Sequence, residues 1–118
     1  MKRQFINNVY SWIRNTFGES EDVESDKAIR SRRFIEEAIE LVQACGTPKE
    51  EVATILEYVY SRPMGEIQQE VGGVMVTLAG HAWIFGYDPE TCGNTELNRI
   101  RKIDPKKILL KNLSKPHF

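Results

Sequence analysis

Apolar residues recur along most of this chain at the three- and four-residue spacing of amphipathic helices. Gly46 and Gly86 mark helix ends, because glycine suits the left-handed turn that closes a helix. Thr47-Pro48 and Asp88-Pro89 then provide a capping residue and a proline for the next first turn. No strand alternation is found, so the fold class is predicted to be all-α. Five helices are predicted, over residues 4–16, 26–45, 48–60, 66–85 and 89–103.

The fourth predicted helix is apolar on nearly every face. Between Glu70 and Asp88 the chain has no aspartate, glutamate, lysine or arginine, and its one histidine is His81. A helix that is apolar all round is normally buried, but a chain of 118 residues builds only a modest core of its own. We therefore expect a helical bundle of about five helices that is completed by homo-oligomerisation, most simply with a second copy of the chain.

Length and pattern predict a single domain over residues 1–118. It comprises an N-terminal helix and loop (1–25), the central helices and a basic C-terminal tail (104–118). The tail contains a short apolar patch and is compatible with a strand, a short helix or loose chain.

The balance of 16 basic and 17 acidic residues gives a net charge of −1. This balance predicts no overall attraction to nucleic acid or to a membrane surface. The apolar run over 71–86 is too short for a membrane span. Cys45 and Cys92 lack CxxC spacing, and no signal peptide follows Met1, so reduced thiols in a cytoplasmic protein are expected.

Carboxylates lie one helical turn apart on two of the predicted helices. Glu37 and Glu40 share a face of the second helix, and Glu66 and Glu70 share a face of the fourth. Like charges at this spacing disfavour a helix unless a cation lies among them. Mg²⁺ prefers oxygen ligands, with a few carboxylates completed by water and substrate phosphate. The pattern therefore indicates a candidate divalent-metal site.

These glutamates also have structural interpretations. Glu36 fits an ordinary solvated helix face. Glu70, at the start of an apolar segment, needs a partner for its charge. A structural ion pair with Arg30 or Arg33 would provide that partner without any metal.

Two motifs resemble those of a known family. Glu36-Glu37-Ala38-Ile39-Glu40 resembles the EExxE motif of the MazG-like all-α nucleoside triphosphate pyrophosphatases. Glu70-Val71-Gly72-Gly73 lies where these proteins carry ExxD, and an apolar helix follows it, as in the family. The resemblance extends over residues 30–101. It implies an all-α homodimer or homotetramer that hydrolyses a (d)NTP to the monophosphate and pyrophosphate with Mg²⁺, Mn²⁺ being an alternative ion.

The resemblance also implies roles for individual residues. Carboxylates of the two motifs would bind the metal and position water, and a basic or amide stretch farther along the chain would contact phosphates. The implied catalytic residues are Glu36 and Glu37, the implied metal ligands are Glu37, Glu40, Glu66 and Glu70, and the implied substrate-binding residues are Arg33, Asn98, Arg99 and Arg101.

One position departs from the family pattern. Gly73 stands where the family has its aspartate, so one usual ligand is absent. Glu66 lies one turn before Glu70 on the same predicted face and is the candidate substitute. The sequence therefore predicts a Mg²⁺-dependent nucleotide pyrophosphohydrolase. The alternative is a catalytically weak helical nucleotide- or protein-binding module that keeps the same fold.

Overall fold

The computed structural model describes residues 3–18 and 23–116, and this part of the chain contains six α-helices and no strand. The predicted all-α class is confirmed. The helices are α1 (Gln4–Phe17), α2 (Val23–Ala44), α3 (Lys49–Tyr60), α4 (Ile67–Ile84), α5 (Pro89–Ile100) and α6 (Pro105–Leu113).

Helices α2 and α4 end at the glycines that the sequence marked. Gly46 has φ of 90° and Gly86 has φ of 81°, a conformation that residues with a Cβ adopt only with strain. After each glycine, the next backbone N–H donates to the carbonyl five residues back, at 3.0 Å for Thr47 and 2.9 Å for Tyr87. These bonds satisfy carbonyls that the helix itself leaves without partners.

The predicted starts of the following helices have different outcomes. Asp88 caps α5 as expected, since its carboxylate accepts a hydrogen bond from the Thr91 backbone N–H at 2.8 Å. The prediction that Thr47 caps α3 is wrong. Pro48 occupies the N-cap position, and no side chain caps that helix. The reason is that Thr47 already belongs to the turn that closes α2.

The basic tail forms a sixth helix, which the sequence analysis left open. Asp104 is its N-cap, and the carboxylate accepts from the Lys106 backbone N–H at 2.9 Å. Asp104-Pro105 repeats the arrangement of Asp88-Pro89 and starts a helix in the same way. The predicted fifth helix correspondingly ends earlier, at Ile100.

Contacts divide the chain into two units: α1, α4, α5 and α6 belong to one, and α2 and α3 to the other. In the first unit, α5 contacts both α1 and α4, and α6 contacts α1. Phe5 of α1 lies directly on Gly93 of α5, where an added Cβ would stand 2.5 Å from the ring. Leu97 is the buried apolar side chain of the described residues, at 2% exposure. The single-domain interpretation stays a prediction.

The fourth helix is exposed in a single chain, and its expected burial through homo-oligomerisation stays a prediction. No residue of α4 is buried, and Val76 and Trp83 are 73% and 77% exposed. A Cβ added at Gly72 or Gly73 would meet nothing within 4 Å. Within the described residues, therefore, no neighbour uses the missing side chains for close packing. Despite its apolar composition, neither α4 nor any other described helix is long and apolar enough to cross a membrane.

Candidate functional site

The first motif lies on α2, where one arginine holds two of its carboxylates. Arg33 Nη1 donates to Glu36 Oε1 at 2.7 Å, and Arg33 Nη2 donates to Glu37 Oε1 at 2.9 Å. The spacings of three and four residues bring these side chains to one face of the helix. The guanidinium fork thus gathers two implied catalytic carboxylates around one positive charge.

Burial and charge act on this arginine in opposite directions. Burial alone would lower the pKa of Arg33, but the hydrogen bonds and negative charges of Glu36 and Glu37 outweigh it and raise that pKa. One turn earlier, burial lowers the pKa of Arg30, and the positive charge of Arg33 lowers it further, while Asp26 partly compensates. Arg33 is consequently the better-stabilised of the two cations.

Glu40, the last glutamate of the motif, differs from its neighbours. Its side chain is exposed, and it has no hydrogen bond or ion pair with another described residue. Glu37 is also open to solvent on one side, with 62% of its side chain exposed. A cation placed between Glu37 and Glu40 would therefore find two accessible carboxylates three residues apart.

The second motif opens α4. Glu70 lies in the first turn of this helix, and Glu66 immediately precedes it. Both are exposed, and neither has an ion pair or hydrogen bond with another described residue. A negative charge in the first turn interacts favourably with the helix dipole. This gives Glu70 a modest structural role that needs no ion-pair partner, and it leaves the carboxylate accessible to a ligand.

Gly73, the position of the missing aspartate, lies one turn after Glu70. Its carbonyl accepts a hydrogen bond from the Thr77 hydroxyl at 2.9 Å. The space around Gly73 is open, so an aspartate side chain would fit there within the described chain.

The implied phosphate-binding residues do not share one environment. Arg99 makes two hydrogen bonds of 2.8 Å to Glu96 on its own helix. This pairing lowers the pKa of Glu96, against a smaller opposing effect of burial. Asn98 is exposed on α5. Arg101 follows α5 and lines a recess with residues of α1.

The donor set suits Mg²⁺ in its chemistry, since every implied ligand is a carboxylate. Among the described residues, however, no group of three or more aspartate, glutamate, histidine or cysteine side chains is arranged to hold a metal ion. The structure brings Arg33, Glu36 and Glu37 together on α2. Cys45 and Cys92 are free thiols.

The ion pairs of Arg33 with Glu36 and Glu37 could be predicted from the sequence, because the residues are spaced as in helical ion pairs. The neighbours of Arg101 in the recess could not be predicted, because they include residues of α1 that lie more than 80 positions away along the chain. The chain matches no protein-family model, no curated protein and no solved structure. The MazG-like resemblance therefore stays a prediction that rests on the two motifs.

Proposed function

We propose that this protein is a Mg²⁺-dependent nucleotide pyrophosphohydrolase, which converts a (d)NTP or a related nucleotide to the monophosphate and pyrophosphate. The observation that carries the proposal is the arrangement of the first motif. Glu36 and Glu37 converge on a single cationic group, with oxygen–nitrogen distances of 2.7 and 2.9 Å. Glu40 lies about one turn farther along the same helix, and its side chain is exposed to solvent. Carboxylates gathered on one face of a helix are oxygen ligands of the kind that Mg²⁺ binds together with water and substrate phosphate.

Residues of both motifs would hold the metal. Glu37 and Glu40 from α2, with Glu66 and Glu70 from the start of α4, are the proposed ligands. When bound, Mg²⁺ neutralises charge on the phosphate oxygens and makes bound water more acidic. Glu36 is the proposed group that orients the attacking water and accepts its proton.

The reaction forms one bond and breaks one. The water oxygen bonds to the α-phosphorus, the bond from that phosphorus to the bridging oxygen breaks, and pyrophosphate leaves with the electron pair. Arg33 lies beside Glu36 and Glu37, and its guanidinium would contact the phosphate oxygens of the bound nucleotide. Asn98, Arg99 and Arg101 are the further phosphate-contacting candidates.

The proposed active form is a homodimer or homotetramer. The exposed apolar faces of α4 support it, because a single described chain leaves the whole helix without a buried residue. Large exposed apolar surfaces mark contacts with other molecules. A cytoplasmic location belongs to the same proposal.

Two observations favour the alternative, a nucleotide- or protein-binding module with little or no turnover. Gly73 supplies no carboxylate, and the described residues contain no three-ligand metal group. A protein of this kind would bind a nucleotide or a partner without hydrolysing the α–β phosphate bond.

The deciding experiment is a panel of (d)NTPs incubated with Mg²⁺ or with a chelator, with pyrophosphate and monophosphate both quantified. We expect stoichiometric release of the two products from at least one nucleotide, only with the metal. Glu40→Gln should abolish most of the release. Glu57→Gln, which changes an exposed acid on α3 outside both motifs, is the matched control. No product from any nucleotide, together with a nucleotide-induced rise in melting temperature, would establish the binding module instead.

A further inference from the structure

The net charge of −1 conceals a strong separation of charge along the chain. Residues 19–70 contain 13 acidic and 6 basic residues. Residues 96–116 contain 7 basic and 2 acidic residues, and residues 3–18 contain Arg3 and Arg14 with no acid. The total charge therefore conceals a strongly positive segment, residues 96–116, and a more weakly positive one, residues 3–18.

The fold brings these two positive segments together. Helix α1 contacts both α5 and α6, and all three belong to the same unit. Most of the basic side chains here are exposed. We call the following set the basic surface: Arg14, Arg101, Lys102, Lys106, Lys107 and Lys111.

A recess of about 370 Å³ lies between α1 and the connection from α5 to α6, and Arg101 is the member of the basic surface that lines it. Its volume lies at the small end of the range of ligand pockets. Its polar lining comprises Ser11, Asn15, Thr16 and Arg101, and the half-buried ring of Trp12 forms another wall. Among the described residues, no acidic side chain lines it.

The polar side chains that line the recess are of types that hydrogen-bond anionic or polar ligands. Arg14 donates to the Ser11 hydroxyl at 3.4 Å, which places a second guanidinium beside this wall. Asn15 offers both donors and acceptors. Arg101 offers a planar fork that matches phosphate oxygens.

We infer that the basic surface and its recess bind single-stranded nucleic acid. The lysines of α6 and of the preceding connection contact successive phosphates, which favours a strand over a single small anion. The recess receives one base, against the indole of Trp12 and within reach of the Asn15 amide. An anionic lipid surface would use the lysines but would need no recess lined with amide, hydroxyl and indole groups, so a nucleic acid strand fits the observations better.

This inference does not depend on the pyrophosphohydrolase activity. None of the motif glutamates lines the recess. It gives Arg101 a strand phosphate as its ligand, in addition to the nucleotide that the resemblance implies. Strand binding and pyrophosphate release are separate readouts, so either can fail while the other succeeds.

The test is fluorescence anisotropy of a labelled single-stranded oligonucleotide of about 12 nucleotides, titrated with the full-length protein. We expect binding that weakens at least tenfold between about 50 and 200 mM salt, because phosphate contacts release counterions. Arg101→Ala should weaken binding about tenfold. Lys106→Ala should weaken binding less. It should also lower the slope of log binding constant against log salt concentration by about one. Arg62→Ala, an exposed arginine in the other unit, is the matched control and should leave binding unchanged.

A second readout reports on the recess itself. In a Trp83→Phe background, Trp12 is the only tryptophan, and the oligonucleotide should quench its fluorescence. Binding that Arg62→Ala weakens as much as Arg101→Ala would overturn the proposed surface. Absence of binding at low salt would also overturn the inference. So would tight association with phosphatidylserine-containing vesicles without oligonucleotide binding, and so would a mononucleotide that competes as well as the strand. Circular dichroism verifies that each variant remains helical.

Discussion

Helices α2 and α4 carry glutamates at similar spacing but stabilise them in different ways. On α2, Arg33 neutralises Glu36 and Glu37 from within the same helix. On α4, Glu70 has no ion pair with a described residue, and the apolar faces that follow it are exposed. Two of the charges of α2 are thus balanced inside one helix, whereas the carboxylate of Glu70 and the apolar faces of α4 are exposed to solvent in one chain. For α4 we propose a metal ion and a second copy.

The largest expected effect concerns the apolar surface of α4. Met75→Glu places a charge on a side chain that is 57% exposed in one chain and that we expect to be buried between copies. Wild-type protein should be a dimer or tetramer at low micromolar concentration by light scattering. The variant should dissociate and lose about 3 kcal/mol of stability or more, because a buried unpaired charge is strongly unfavourable.

Gln69→Glu is the control for the same helix, because it adds the same charge near the helix start, where the dipole tolerates it. It should leave assembly intact. A stable, folded wild-type monomer at low micromolar concentration would remove the need for an outside partner and, with it, the contrast between the two helices.

The next largest expected effect is a loss of Mg²⁺-dependent turnover when the carboxylate of Glu70 on α4 is removed. Glu70→Gln keeps the shape of the side chain and removes its charge, so Mg²⁺-dependent turnover should fall about 100-fold, as when one electrostatic stabiliser is lost. The helix should remain folded. If Glu70 instead serves a structural ion pair with Arg30 or Arg33 in the assembled protein, the variant would lose a few kcal/mol of stability without any change in Mg²⁺ affinity. Thermal melts with and without Mg²⁺ separate these outcomes.

A smaller effect is expected at Glu66, the proposed substitute for the missing aspartate. Glu66→Ala should weaken Mg²⁺ binding or turnover about tenfold, within the range seen when groups that support a metal are removed. Gly73→Asp should partly restore it, because the position has open space for a side chain. Unchanged activity in Glu66→Ala would reject this compensation.

The smallest effect concerns the balanced charges of α2. Arg33→Ala releases Glu36 and Glu37 from their internal cation, so Mg²⁺ should bind a few times more tightly, in keeping with the small energy of a partly exposed ion pair. Turnover should nevertheless fall, because the guanidinium no longer contacts phosphate. Calorimetric titration with Mg²⁺ and steady-state kinetics measure the two effects separately. A loss of Mg²⁺ affinity in this variant would show that Arg33 does not compete with the metal.

Local signals were the part of the fold that the sequence predicted well. The end of α2 at Gly46 and the start of α5 at Asp88 were predicted correctly. Both depend only on a few adjacent residues. Asp104 carries the same signal and starts α6, where the sequence was compatible with a strand, a short helix or loose chain. The error at Thr47 arose because two adjacent helix ends compete for one residue.

Long-range features were beyond the sequence. The packing of the Phe5 ring against Gly93 depends on the contact between α1 and α5, and no spacing along the chain indicates that contact. Composition predicted that α4 is buried with the help of a second copy, and α4 is exposed in one chain. Its burial between copies stays a prediction, since burial depends on what covers a helix. For the candidate site, spacing identified Glu37 and Glu40 as neighbours, whereas the joint action of α2 and α4 rests on the resemblance.

The central claim, that carboxylates of both helices bind one metal, is tested most directly by a double-mutant cycle. Calorimetric Mg²⁺ affinities are needed for wild type, Glu37→Gln, Glu70→Gln and the double variant. If both residues serve one ion, each single change should weaken binding about tenfold, and the double change should add little beyond either one. Additive losses, or unchanged affinity in either single variant, would contradict a shared site.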